Sequence, residues 1–215
     1  MPNSYVKQLV SENSQRSFNL LIAVAFLLIV IPFTFIYLLK IKLPLFFYFI
    51  LFAIARVIYI IAKAYNNLSL RASQGLEAEE LVREQLIKLP APWKFEANVK
   101  LKQLGDLDFF VTSPNNHNFA IEVKSHYGVI VSNQNTLKRK VKGQIQEFEK
   151  DFLVQTKLES NAMETLTNQS GIIPVLVFTN ASLELDSAKI NDVYILTIKD
   201  LNNFLLNYTT TLITK

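Results

Sequence analysis

Two apolar runs near the start of the chain constrain its folding more than anything that follows. Phe18–Leu39 (FNLLIAVAFLLIVIPFTFIYLL) carries no charge, and Leu43–Ala62 (LPLFFYFILFAIARVIYIIA) carries only Arg56. At 1.5 Å per residue, each is long enough to cross a hydrocarbon core of about 30 Å. Neither shows the polar stripe of a helix packed on a water-soluble core. The expectation is therefore two membrane-spanning helices, not two buried core helices. Only Lys40-Ile41-Lys42 separates them, which predicts a tight helical hairpin. Pro32 falls inside the first span, where a membrane helix tolerates it as a kink. Arg56 lies about 10 Å along the helix axis from Lys63, within reach of the interface for a snorkelling side chain. No acidic partner occurs in either span, which argues against a transport site.

Residues 1–17 are polar and mixed in charge, without the compact basic start and small-residue cleavage site of a signal peptide. Two crossings leave the N-terminus and everything after residue 62 on one side. That side offers Lys7, Arg16, Lys63 and Arg71 against Lys40 and Lys42 in the short loop. Positive-inside counting thus predicts an integral membrane protein with its N-terminus and C-terminal domain in the cytoplasm.

Half of the residues are hydrophobic, but the excess lies before residue 63; the remainder has the composition of an ordinary globular domain. There is no cysteine, so neither a disulfide framework nor a thiolate metal site is available. A net charge of +4 tolerates nucleic acid without arguing for it. Residues 63–74 read as a polar linker. Gly75–Leu89 reads as a helix stopped by Pro90 and Pro92, with Ala78, Leu81, Val82, Leu86 and Leu89 on its apolar face. Of its acidic residues, Glu79 lies nearest that face, while Glu77 and Glu80 point outward. Acidic residues near a helix start are also simply favoured by the dipole.

The informative stretch is Gly105–Ile130, GDLDFFVTSPNNHNFAIEVKSHYGVI. Leu104–Thr112 and Asn118–Lys124 read as strands around the turn formers Ser113–Asn118, and Phe95–Leu101 precedes them as a third. Alternation puts Asp106, Asp108 and Phe110 on one face, opposite Leu107, Phe109 and Val111, and pairs Glu122 with Lys124. In a hairpin, Asp108, Glu122 and Lys124 converge at one end of one face. Two carboxylates and a lysine so placed suit a divalent cation and a water beside a phosphate. A hairpin that merely exposes one solvated polar face has the same alternation. Further on, Leu137–Leu158 reads as a helix whose opening, Lys138-Arg139-Lys140-Val141-Lys142, is basic. Cations there oppose the helix dipole; phosphate binding is one candidate gain, and a plain solvated face is the other. Ile172–Thr179 and Val193–Ile198 read as buried strands, and Asp200 as the cap of a helix Leu201–Asn207.

The order aspartate strand, turn, E-x-K, polar spacer, glycine and aliphatic (Asp108, Glu122, Lys124, Gly128, Ile130) resembles the PD-(D/E)XK nucleases, and most closely the nuclease-related domain, NERD. Gly75, Ala78 and Glu79 match the G-x-x-A-E opening of that pattern. The resemblance is strongest over Gly75–Gln144. It implies an α/β fold, a restriction-endonuclease-like mixed sheet flanked by helices with an αβββαβ core, here at 75–207 and preceded by the two-helix transmembrane hairpin. It also implies the backbone carbonyl of Val123 as a third metal ligand and a supporting glutamine on the helix after the strands, for which Gln144 is the match. The Asn-Pro that many members carry just before that glutamine is missing here.

Mg²⁺ takes one or two carboxylates and leaves the rest of its shell to water and phosphate. Asp108 and Glu122 would supply the carboxylates, Glu79 would complete the shell, and Asp106 stands in reserve; Mn²⁺ is an alternative ion. Lys124 would orient the attacking water and steady the transition state. Lys138, Arg139, Lys140 and Lys142 are the candidate nucleic-acid contacts. His126 follows the motif closely and could touch a phosphate, although a lone histidine is usually only a surface residue; His117, in the turn, is set aside. No P-loop, G-x-S-x-G or His/Cys zinc cluster supports another chemistry. The expected function is a membrane-anchored, Mg²⁺-dependent nuclease acting on DNA, with RNA and homodimerisation left open. The alternative is a catalytically silent membrane-tethered module that binds nucleic acid or protein, against which the intact Asp108, Glu122 and Lys124 argue. An accessory subunit of a membrane complex would rest on the two spans alone.

Overall fold

The computed structural model describes residues 4–40, 44–102, 104–133 and 135–211. Ile41, Lys42 and Leu43, at the join between the two apolar runs, and the tail from residue 212 lie outside the described residues. The chain forms two compact units, Met1–Leu76 and Glu77–Lys215.

In the first unit, α1 (Ser4–Ala25) continues through a π-helical stretch, Phe26–Val30, into the single turn α2 (Ile31–Phe33) and a second π-helical stretch, Thr34–Leu38. Pro32 accounts for this change. It lacks an N–H, and its ring would strike the carbonyl four residues back in a regular α-helix, so the winding loosens around it. The second helix, α3 (Leu45–Ile87), begins this unit's return stretch. The Ser69 hydroxyl donates to the Val10 carbonyl (3.1 Å), the Arg16 guanidinium lies 5.9 Å from the Tyr65 ring, and the Phe35 and Phe47 rings are 6.3 Å apart. One partner climbs while the other descends, so the two helices run antiparallel. Ala55, Ala62 and Ser69, spaced by sevens, are buried together with Asn13 and Ser17; small side chains there let the backbones approach. The outward faces carry exposed Phe18, Phe26, Phe46, Phe49 and Phe52. Both helices are long and apolar enough to cross a membrane, with mean hydropathies of 2.8 and 2.4 over their most apolar windows.

The predicted polar linker at 63–74 and the predicted helix start at Gly75 are corrected by the structure: α3 is helical throughout Leu45–Ile87. The polar residues of 65–74 lie on a helix already nucleated by the apolar run, and extending a helix costs far less than starting one.

The second unit is a mixed eight-stranded sheet with helices on both faces. Its strands are β1 (Lys94–Leu101), β2 (Gly105–Thr112), β3 (Asn118–Asn133), β4 (Thr136–Val141), β5 (Gln144–Glu147), β6 (Ile173–Glu184), β7 (Lys189–Ile190) and β8 (Val193–Thr197); α4 spans Phe152–Thr167 and α5 spans Leu201–Thr211. The main order is β1-β2-β3-β6-β8-β7, and β4 and β5 add a ribbon to the far half of β3. The first three strands form an antiparallel meander, whereas β3, β6 and β8 run parallel. On one face, Ala78, Val82 and Leu86 of α3 and Leu201 and Leu205 of α5 cover Phe109, Phe119 and Ile121. On the other, α4 covers Leu176 and Phe178 with Phe152 and Leu153, and Phe110 and Ala120 with Met163. Each wholly buried phenylalanine contributes roughly 1.5–3 kcal/mol through lost apolar surface. Leu107 packs with Phe110 and Leu101 rather than with Phe109, at the end where β2 has left β3.

The predicted helix over Leu137–Leu158 is also corrected. Thr136–Val141 and Gln144–Glu147 are strands, and the helix begins at Phe152. Lys142 (φ 50°) and Gly143 (φ 81°) form the two-residue turn between them, a backbone that suits a tight hairpin. The Asp151 side chain caps α4 by accepting from the Leu153 and Val154 N–H groups.

Candidate active site

The site forms where β2 and β3 part. Their pairing runs from Thr112↔Asn118 to Phe109↔Ile121 and stops, while β3 continues beside β6. On the edge β2 has left, β3 gains its next partner only at Val129, which pairs with Lys140. Among the described residues, no strand pairs with that edge at Glu122, Val123 or Lys124. The first orphaned donor, the Val123 N–H, is taken by the Asp108 carboxylate at 2.7 Å. Asp108 thus ends the ladder with its side chain and stays in the cleft.

Around this notch the structure gathers Asp108, Glu122 and Lys124, as alternation along the two strands predicts. Lys124 Nζ donates to Glu122 Oε1 and lies 4.7 Å from the centre of the Phe152 ring. Glu122 is only 5 % exposed, and among the described residues its Oε2 has no hydrogen-bond partner. Two further residues join from α4. Gln155 Nε2 donates to Glu122 Oε1 (2.9 Å) and to Glu159 Oε1 (2.8 Å), and Gln155 Oε1 stands 3.4 Å from Lys124 Nζ. Glu159 is 1 % exposed.

Burial, reinforced by Glu122 and then Glu79, holds the Asp108 carboxyl well above the usual range; the Val123 N–H and Lys124 pull the other way. Glu79 is half-buried on α3, whereas Glu77 and Glu80 are exposed. Burial first and the Glu122 charge second raise its carboxyl. Glu159 is pushed up to about 8, again by burial and then by Glu122. So many acidic groups share one lysine that the cleft favours a proton or a cation.

The residues fit Mg²⁺ as that ion is commonly held. Among the described residues, no three carboxylate, histidine or cysteine side chains form a ready-made cation cage. Mg²⁺ does not need one, since it keeps several waters and binds through one or two carboxylates plus phosphate. Glu122 Oε2, buried and unpartnered, has the chemistry of such a ligand, and Asp108 supplies the second carboxylate. A cavity of about 440 Å³, lined by Leu104, Lys150, Val154, Gln155, Leu158 and Glu159 among others, opens alongside.

Of the other predicted residues, some lie away from the notch and some beside it. Gln144 is exposed on β5, and the glutamine on the helix is Gln155. The signal that would have found it is Asp151, a good cap directly before Phe152 and Leu153. Val123 contributes its N–H to Asp108 and its side chain to the core. Asp106 is exposed and sits opposite Lys100 in the β1–β2 ladder. Lys138, Arg139 and Lys140 lie on β4 and Lys142 at its tip. Lys138 pairs with Glu147 (3.1 Å); Arg139 bonds Gln146 (2.8 Å) and stacks on Tyr127. His126 packs against Phe148 and Phe152, and His117 against Tyr208.

Gly128 separates the notch from the ribbon. Its φ is +105°, and a Cβ there would stand 2.7 Å from the Lys140 carbonyl oxygen, so only glycine lets β4 close on β3.

Residues 74–179 match the family model described as the nuclease-related domain, NERD. Comparison with curated proteins and with solved structures gives no match.

Proposed function

Starting from a chain whose residues 74–179 are a nuclease-related domain, we propose that it is a metal-dependent nuclease, hydrolysing phosphodiester bonds of DNA, carried on a membrane by its N-terminal helical pair. The observation that supports this best is the meeting of Asp108, Glu122, Lys124 and Gln155 at the open edge of β3. The order of elements around it, a helix end, β1–β3, α4 and β6, agrees with the αβββαβ core of restriction-endonuclease-like enzymes, with β4–β5 inserted.

In this reading Asp108 and Glu122 hold Mg²⁺ or Mn²⁺, with the Val123 carbonyl and Glu79 as further ligands. When bound, the ion supplies a more acidic water and neutralises charge on the phosphate. Lys124 steadies the attacking water and the developing negative charge. Gln155 holds Glu122 and Lys124 in one geometry. Lys138, Arg139, Lys140 and Lys142 present a cationic ribbon to the phosphate backbone. The exposed apolar helices lie in the bilayer, and the charge count puts the domain on the cytoplasmic side.

The second reading is a silent module tethered at the membrane that binds nucleic acid or protein; the cationic β4 strand, Lys138 to Lys140, with Lys142 at its tip, suits binding without cleavage. The test uses full-length protein in bilayer discs, with linear, circular and single-stranded DNA and with RNA, in Mg²⁺, Mn²⁺ or EDTA. Cleavage that needs metal and disappears in folded Glu122→Ala and Lys124→Ala supports the enzyme. Retention of DNA on a gel without cleavage under any of these conditions selects the binding module.

A further inference from the structure

We propose that Glu159 is a positioning residue of this site, and that its carboxyl fixes which end of the Gln155 amide faces Glu122 and Lys124. The inference rests on the nuclease reading above and adds a residue to it.

An amide side chain presents two different ends, and only one arrangement suits this cleft. Gln155 Nε2 has two protons, and both are used: one bonds Glu122 Oε1 at 2.9 Å and the other Glu159 Oε1 at 2.8 Å. This leaves Gln155 Oε1 turned toward Lys124 Nζ, 3.4 Å away. With the amide reversed, its oxygen would face two carboxyl oxygens and its NH₂ would face an ammonium. Without Glu159, one Nε2 proton would lose its acceptor, and only the bond to Glu122 and the longer one from Lys124 would hold the amide.

The placement of Glu159 supports this role. It sits one turn beyond Gln155 on α4, where side chains four apart meet, and the Asp151 cap sets where that helix starts. It is 1 % exposed, and among the described residues it forms no salt bridge. Burying a carboxyl without a cation is costly, and among the described residues its Oε2 has no hydrogen-bond partner. A leucine or methionine would fill the same space at lower cost. What the carboxyl adds is its hydrogen bonding, to Gln155, the residue that touches both Glu122 and Lys124, and to Glu122 itself.

The test compares full-length wild type, Glu159→Met, Glu159→Gln, Gln155→Ala and the Gln155→Ala/Glu159→Met pair, all in bilayer discs. Cleavage of circular DNA is followed across Mg²⁺ and DNA concentrations, with circular dichroism as the check on folding. Loss of a residue that orients a metal-site ligand typically costs about 10–100-fold. Glu159→Met should lose at least about 10-fold in kcat, with KM for DNA changed less than about 2-fold. Glu159→Gln, which keeps an acceptor for Gln155, should stay within about 3-fold of wild type. The double variant should be no slower than Gln155→Ala, because both changes act through one group.

Wild-type rates in folded Glu159→Met, or additive losses in the double variant, overturn the inference and leave the nuclease reading intact. Should Glu159→Met fail to fold, a loss above about 10-fold in folded Glu159→Gln still overturns it, because the charge rather than the hold on Gln155 would then matter. Wild type that cleaves nothing with any metal overturns the nuclease reading, and the inference with it.

Discussion

The two halves of β3 are one strand serving two purposes. From Asn118 to Lys124 it is enclosed: β6 runs beside it throughout, β2 flanks it as far as Ile121, helices cover both faces, and Phe119, Ala120, Ile121 and Glu122 are buried. From Gly128 to Asn133 it is the root of a ribbon whose outer strand, β5, is exposed along its length. In the first half, charge is scarce, acidic and confined. In the second it is plentiful and cationic. A charge held in a dry cleft acts strongly at short range, whereas exposed charges act collectively and are weakened by salt. On the proposed function, chemistry falls to the first half and grip to the second, and substitutions can separate the two.

The largest effect is expected in the walled half. Glu122→Ala or Lys124→Ala should lower metal-dependent cleavage at least about 100-fold, while retention of DNA on a gel persists. The next contrast opposes two glutamines. Gln155→Ala should cost about 10–100-fold in kcat, and Gln144→Ala, on the exposed strand, should leave kcat unchanged. Equal effects from both would break the assignment of Gln155. At the join, Gly128→Ala should destabilise the domain by more than about 1 kcal/mol in urea unfolding, since φ +105° and a backbone oxygen at 2.7 Å leave a methyl group no room.

On the ribbon, Lys140→Ala with Lys142→Ala should leave kcat alone and flatten the salt dependence of DNA binding by about two counterions. A fall in kcat with unchanged binding would erase the division between the halves. The smallest effect concerns pH. Glu159 is pushed from 4.5 to about 8, and Asp108 is also raised, so the folded domain keeps protons that the unfolded chain releases. That stabilisation is complete at the acid end and fades as pH climbs from about 4.5 towards 8. In EDTA, the thermal midpoint should drop over this range, and Glu159→Gln should make the drop shallower. Mg²⁺ should raise the midpoint more at pH 8 than at pH 6, because it binds deprotonated carboxylates.

The same comparison shows where a sequence is readable. The walled half announces itself: period-2 alternation holds from Phe109 to Val111 and around Glu122, where a buried face fixes register, and fails only at Leu107, beyond the last β2–β3 pair. The apolar helices are equally plain. The ribbon is not, because Lys138, Arg139 and Lys140 have little intrinsic preference for a strand and are held there by pairing with Val129, Ile130 and Val131. Lys142-Gly143 is the local hint of a hairpin, and a helix drawn across it starts too early and takes Gln144 for the supporting glutamine in place of Gln155. Glu159 was out of reach altogether, since nothing in a helical run of mixed polarity marks one glutamate as buried. Residues 65–74 misled in the opposite way, as polar residues carried on a helix begun elsewhere.

The open edge from Glu122 to Lys124 also bears on how the protein behaves in a crowd. A bare strand edge invites a strand from another molecule to pair with it, a common route to aggregation. Here the bare stretch lies between β2 at one end and β4 at the other, inside the sheet and not along its rim. An incoming strand would find too short a run to bind, with a lysine and two carboxylates at its mouth.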